Sequence, residues 1–177
     1  MTVRIVTDSA CDLSEEETSA LDIDVVPLFI RFGEVEYIDR KELSVPDFYK
    51  EMSTNEHLPQ TAAPAPGAFG EIFTKRLNAG AESIVCINLS SELSATMESA
   101  QAGAQESGGD VRIVDSRSVS AGQGTIVLAA AHAAKNGASV DEIVSLVSDL
   151  SLRTRVYGAL DTLENLKKGG RVGNAAA

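Results

Sequence analysis

Ile84-Val85-Cys86-Ile87-Asn88-Leu89-Ser90-Ser91-Glu92-Leu93-Ser94-Ala95-Thr96 decides the fold of this chain. Its first half is a continuous apolar, β-branched run, the pattern of a strand buried on both faces. Its second half is a turn crowded with hydroxyls that leads into a helix reaching residue 106 or so. Free helix N–H groups beside small hydroxyls make a place to hold an anion. An N-cap explains one serine, but Ser90, Ser91, Ser94 and Thr96 together exceed that need. No base or metal ligand stands beside them in the sequence, which favours binding over hydrolysis.

The same chemistry recurs outward along the chain. Val3-Arg4-Ile5-Val6 reads as a strand ending in Thr7-Asp8-Ser9, and Val111-Arg112-Ile113-Val114 as one ending in Asp115-Ser116. Asp24 to Phe32 reads as a single strand, with Pro27 making it an edge or bulged one. Gly33-Glu34 turns the chain into a half-exposed strand over 35–39. Ser14 with Glu17, and Ser139 with Glu142, form capping-box patterns for helices over 15–21 and up to residue 150 or so. Ser44 caps another helix, with Asp47 at the box position. Amphipathic or small-residue helices follow over 68–79 and 119–135.

Residues 57–67 form an Ala/Pro loop carrying Thr61, stiffened by Pro59, Pro64 and Pro66. Val156 to Leu160 reads as a strand, and Asp161 as the cap of a short helix stopping at Gly169-Gly170. Strands alternating with helices predict an α/β fold, a mostly parallel sheet flanked by helices. Ligands of such sheets bind at the carboxyl ends of the strands. Here those ends are the polar ones.

Composition narrows the function classes. The chain has 177 residues, 44% of them hydrophobic, and a net charge of −11. A surface of that sign repels nucleic acid and anionic headgroups. Cys11 and Cys86 have neither metal-ligand nor disulfide spacing and suit a reducing compartment. The longest apolar run, Ile126 to Ala131, is far too short to span a bilayer. The expectation is a cytoplasmic protein with no transmembrane segment, no cofactor and no metal.

A serine nucleophile needs a base, and the histidines are His57, at a loop edge, and His132, in an Ala-rich helix. No G-x-S-x-G elbow, Walker A sequence or G-x-G-x-x-G turn is present. Asp8, Asp12 and Asp115 fit turn capping better than cation binding. Gly169-Gly170 after Lys167 and Lys168 reads as a helix C-terminus, which leaves the guanidinium of Arg171 unexplained. The alternative to a binding protein is an α/β enzyme acting on a small phosphate or ester substrate at this strand edge.

At these residues the chain resembles the DegV family of bacterial fatty-acid-binding proteins. The matches run in order: Val6-Thr7-Asp8-Ser9, Val26-Pro27-Leu28, Leu58 to Pro64 around Thr61, Leu89 to Thr96, Val114-Asp115-Ser116, and Leu163 to Arg171. The resemblance implies a two-lobed protein holding one long-chain fatty acid. Its carboxylate is taken by hydroxyls matching Thr61 and Ser94, with the arginine matching Arg171 close by. Ala62, Ser90, Ser91, Ala95, Asp8, Ser9 and Ser116 match positions that support the site.

The resemblance also implies a carrier without chemistry of its own. It presents the fatty acid to a separate ATP-dependent fatty acid kinase, which makes an acyl phosphate for phospholipid synthesis. Residues 1–160 match the family's N-terminal α/β domain and 161–177 the start of a truncated second lobe. Ala62 and Ala63 stand where the family has Ser and Gln, and Glu92 and Ala95 where it has glycines. Glu92 weakens an anion site unless it points to solvent.

Overall fold

The computed structural model describes residues 2–159, 161–162 and 164–170. In chain order it begins with β1 (Val3–Asp8), a 3-10 turn (Ser9–Cys11), α1 (Glu15–Ala20), β2 (Asp24–Val26), β3 (Phe29–Phe32) and β4 (Val35–Ile38). Then come α2 (Val45–Thr54), β5 (Gln60–Ala62), α3 (Pro66–Asn78), β6 (Ser83–Asn88) and α4 (Thr96–Ser107). The last elements are β7 (Asp110–Asp115), α5 (Ala121–Lys135), α6 (Val140–Arg153) and α7 (Glu164–Lys168). Two compact units divide them: Met1–Leu28 with Ala63–Val156, and Phe29–Ala62 with Tyr157–Ala177.

The first unit is a parallel sheet in the order β2-β1-β6-β7. All six residues of β6 are buried, because helices cover both faces of the strand. Alternation sorts its side chains. Val85 and Ile87 join Val3 and Ile5 against Ile126, Val127 and Ala130 of α5 and Ile143 and Val147 of α6. Ile84 and Cys86 join Val6 and Val26 against Phe69 and Phe73 of α3 and Ala100 of α4. α3 and α4 approach closely at Gly103, where an added Cβ would lie 2.5 Å from the Pro66 carbonyl oxygen and 2.9 Å from the Gly70 nitrogen.

The second unit contains an antiparallel sheet, β4-β3-β5, whose core is Ile30, Phe32 and Leu43 with Tyr37 and Phe48 packed against it. The Phe32 and Phe48 rings stand 5.8 Å apart.

The α/β class, a parallel sheet flanked by helices, is as the periodicity predicts. Four local expectations are corrected. The single strand over 24–32 is two strands in different sheets, because Pro27 cannot donate to a ladder and the Leu28 amide goes to Ser9 Oγ (3.0 Å). Thr61 lies in the short strand β5, paired with Ile30, and not in a loop. No strand forms over 156–159; Tyr157 is 90% exposed and the segment has no ladder partner among the described residues, while Leu160 lies outside them. At the start of α7 the hydroxyl that accepts the Glu164 amide is that of Thr162 (3.2 Å), one residue beyond Asp161.

Candidate functional site

The carboxyl ends of β1, β6 and β7 form one polar edge. Asp8 closes β1 and is fully buried. Its Oδ1 accepts from the Ala10 amide (3.1 Å) and Gln123 Nε2 (3.1 Å). Its Oδ2 accepts from Asn88 Nδ2 (3.1 Å) and the Leu89 amide (2.9 Å). Burial pushes the carboxyl upward from its usual range, against these four donors, which favour the charged form. Both oxygens are thus committed to joining β1, β6 and α5.

Ser9, also buried, accepts the Leu28 amide. Thr7 Oγ1 donates to the Ile87 carbonyl (2.8 Å) and accepts from Gln123 Nε2 (3.1 Å). Cys86 is buried beneath them. Burial first, then the charge of Asp8, drive its thiol well above the usual range, so it is a packing group without thiolate character.

The loops after β6 and β7 are joined by backbone bonds. The Ser90 amide donates to the Ser118 carbonyl (2.8 Å), and the Ser116 amide to the Asn88 carbonyl (3.0 Å). Buried Ser116 also donates its hydroxyl to the Ser118 carbonyl (3.2 Å). Exposed Ser91 donates its hydroxyl to Asp115 Oδ2 (2.6 Å). Ser90 Oγ accepts the Glu92 amide (3.3 Å).

Ser94 is half-buried and differs from these. Its Oγ accepts the Thr96 amide (3.3 Å) and lies 2.9 Å from Thr96 Oγ1. It sits at the start of α4, whose N-cap residue, Ala95, supplies no side-chain cap. Glu92 is exposed.

The structure therefore brings Asp8, Ser9, Ser90, Ser91, Ser94, Ala95 and Ser116 to one edge of the first unit. It divides them into buried ties (Asp8, Ser9, Ser90, Ser116) and outward groups (Ser91, Ser94, Ala95). Thr61 and Ala62, both exposed, belong to the second unit. There Thr61 lines a cavity of about 940 Å³ with Arg31, His57, Gln60 and Lys168. Arg171 lies outside the described residues.

Gln123 was not legible as part of this edge. It stands more than a hundred residues from Thr7 and Asp8 in sequence, and nothing local in the first turn of α5 marks it as their donor. Asp115 as the acceptor of Ser91 is likewise a product of the β6–β7 register.

Among the described residues, no imidazole hydrogen-bonds any of these hydroxyls, and no group of three or more His, Cys, Asp or Glu is arranged to hold a metal ion. Nor is any described helix long and apolar enough to cross a membrane. The outward hydroxyl and amides at the start of α4 can hold an anionic oxygen.

A family model described as uncharacterised protein, DegV family, matches residues 2–177. A DegV domain-containing protein of Streptococcus pyogenes serotype M6 is 37% identical over 172 residues, covering 97% of this chain and 62% of that one. A DegV family protein from Thermus thermophilus, solved for its fatty acid binding, superposes with a TM-score of 0.89 at 31% identity, covering 99% of this chain and 62% of that one. DegV from Bacillus subtilis, described as a fatty acid binding protein, gives a TM-score of 0.90 at 31% identity, covering 97% and 61%. This chain spans about 62% of the length of such relatives. With its model matched from residue 2 to residue 177, the chain belongs to the DegV family.

Proposed function

We propose that this protein binds a long-chain fatty acid in the cytoplasm and presents it to a separate ATP-dependent kinase, which forms the acyl phosphate used in lipid metabolism. The observation that carries the reading is Ser94. It is an outward, half-buried hydroxyl at a helix start that lacks a side-chain N-cap, on the ligand edge of a parallel sheet. Relatives of matching fold are described as binding fatty acids. In this reading Thr61 and Arg171 supply the other donors to the carboxylate.

The energetics suit a carrier. Burying an acyl chain yields about 0.8 kcal/mol per methylene, so ~10 kcal/mol or more for a long chain before ordering costs. The headgroup then needs donors that replace water. Neutral hydroxyls, helix amides and one guanidinium do this through charge-assisted hydrogen bonds. A nucleophile with a base adds nothing to that task.

Extraction of the purified protein followed by mass spectrometry is expected to return a fatty acid, and added oleate to bind. Ser94→Ala and Thr61→Ala should each weaken oleate binding by ~1–3 kcal/mol. Failure to recover or bind any fatty acid refutes the carrier reading. Unchanged affinity in both variants refutes the site. Ester or phosphate-ester turnover abolished by Ser94→Ala would replace the carrier with an enzyme.

A further inference from the structure

The first turn of α5 differs from those of α1, α2 and α6. These three start on Ser14, Ser44 and Ser139, whose hydroxyls accept the amides of Glu17, Asp47 and Glu142. α5 starts on Ser120, which has φ 57° and ψ −139° and makes no side-chain cap. Its hydroxyl turns instead to Asp12 Oδ2 (2.5 Å). A residue other than glycine is strained in that backbone region. After the Ser120 amide, which donates to the Ala10 carbonyl, the next amide with an acceptor is that of Gly124, which donates to the Ser120 carbonyl (3.0 Å). Those of Ala121, Gly122 and Gln123 have none among the described residues.

Ser118 is an independent observation. It is 8% exposed, and its Oγ has no hydrogen-bond partner among the described residues. That oxygen lies against the same turn, 2.3 Å from where a Cβ on Gly122 would lie, a point also 2.3 Å from a methyl group of Val156 and 3.4 Å from that of Thr154. Gln123, fully buried, keeps an Oε1 that no donor among the described residues reaches. Buried polar atoms are rarely left this way, because nothing replaces the hydrogen bonds they give up to water. The exposed guanidinium of Arg117 has no partner among the described residues, whereas Asp12 and Asp115 are engaged by Ser120 and by Ser91 with the Arg117 amide.

We propose that the first turn of α5, with the Ser118 hydroxyl, is a binding site for a phosphate group, separate from the Ser94 position. Hydrogen phosphate brings several acceptor oxygens for the amides, the hydroxyl and the guanidinium, and one O–H for a carbonyl acceptor such as Gln123 Oε1. A carboxylate brings acceptors alone. The helix has 15 residues, and its dipole favours the negative charge. Through α5 the turn also contacts the end of β1: Gln123 bonds Asp8, and the Ser120 amide donates to the Ala10 carbonyl (2.8 Å). The strand order reverses direction between β1 and β6, and ligands of open α/β sheets bind at the carboxyl ends of the strands beside such a point.

The test is an amide NMR titration of the 177-residue chain with inorganic phosphate at pH 7, against sodium chloride of equal ionic strength. A parallel arm uses methyl phosphate, which separates a free ion from an esterified ligand. Saturable shifts of the Gly122 and Gln123 amides are expected with at least one of the two. Ser118→Ala should weaken that binding fivefold or more and leave oleate affinity unchanged. Arg117→Gln, at an exposed position, should weaken it about twofold and provides the variant if Ser118→Ala does not fold. No saturable shift with either phosphate overturns the proposal, as does full affinity in the variants. The result stands apart from the fatty acid reading, which oleate binding and Ser94→Ala decide.

Discussion

Asp8 shows how a residue at a ligand edge can be spent on structure. Its four hydrogen bonds tie two strands and a helix, so Asp8→Ala leaves several buried donors without acceptors. The expected loss is roughly 2–4 kcal/mol, read as a lower denaturation midpoint. The raised carboxyl also has a pH signature. Folded Asp8 holds its proton above the unfolded value of 3.8, so between that value and the folded pKa the folded state binds more protons. Its contribution to stability is therefore greatest below pH 3.8 and falls as pH rises through the folded pKa. Sequence alone pointed to Asp8 as a turn cap. It could not show the Gln123 amide arriving from a helix that begins after the fourth and last strand of the sheet.

Among the elements, the helices were the most legible, because their caps are local. Ser14-Glu17 and Ser139-Glu142 both form the reciprocal boxes that their spacing implies. Each glutamate carboxyl is lowered, first by the amide of its serine and then by the hydroxyl. Lowered carboxyls stabilise above the unfolded pKa of 4.5, and that contribution is lost as pH falls through the folded value. Melting curves of wild type and Glu142→Gln should thus differ at neutral pH and converge in acid. α3 and α4 offer a paired test. Gly103→Ala drives a methyl into the Pro66 carbonyl and should cost about 1–3 kcal/mol, whereas Gly67→Ala meets nothing within 4 Å and should stabilise by ~0.5 kcal/mol or more.

Strands were less legible. β5 has three residues, and its partner β3 lies some thirty residues earlier, so neither its length nor its pattern announces it. Pro27 was read as a sign of an edge; that it ends one sheet before another begins depends on Ser9 capturing the next amide.

For the whole molecule, the parallel sheet and its two helical layers follow from the continuous apolar run of β6 and from strands alternating with helices, and the polar edge follows from three strands ending in hydroxyls and aspartates. The antiparallel sheet does not, since its core of Ile30, Phe32 and Leu43 is assembled from separated short segments. Large apolar groups stay exposed late in the chain: Leu152 at 60%, Val156 at 49% and Tyr157 at 90%. Such groups favour self-association. Light scattering of the 177-residue chain should show concentration-dependent association, reduced in a Leu152→Ser, Tyr157→Ser double variant.

The backbone bonds from Ser90 to Ser118 and from Ser116 to Asn88 bear on how fast and at what entropic cost this edge captures a molecule. Loops pinned to one another have little freedom left to lose, so ordering is settled during folding and not at each encounter. Binding at this edge should then be a single fast step without a slow rearrangement. The Ser90 and Ser116 amides should exchange with solvent as slowly as those of the strands beside them.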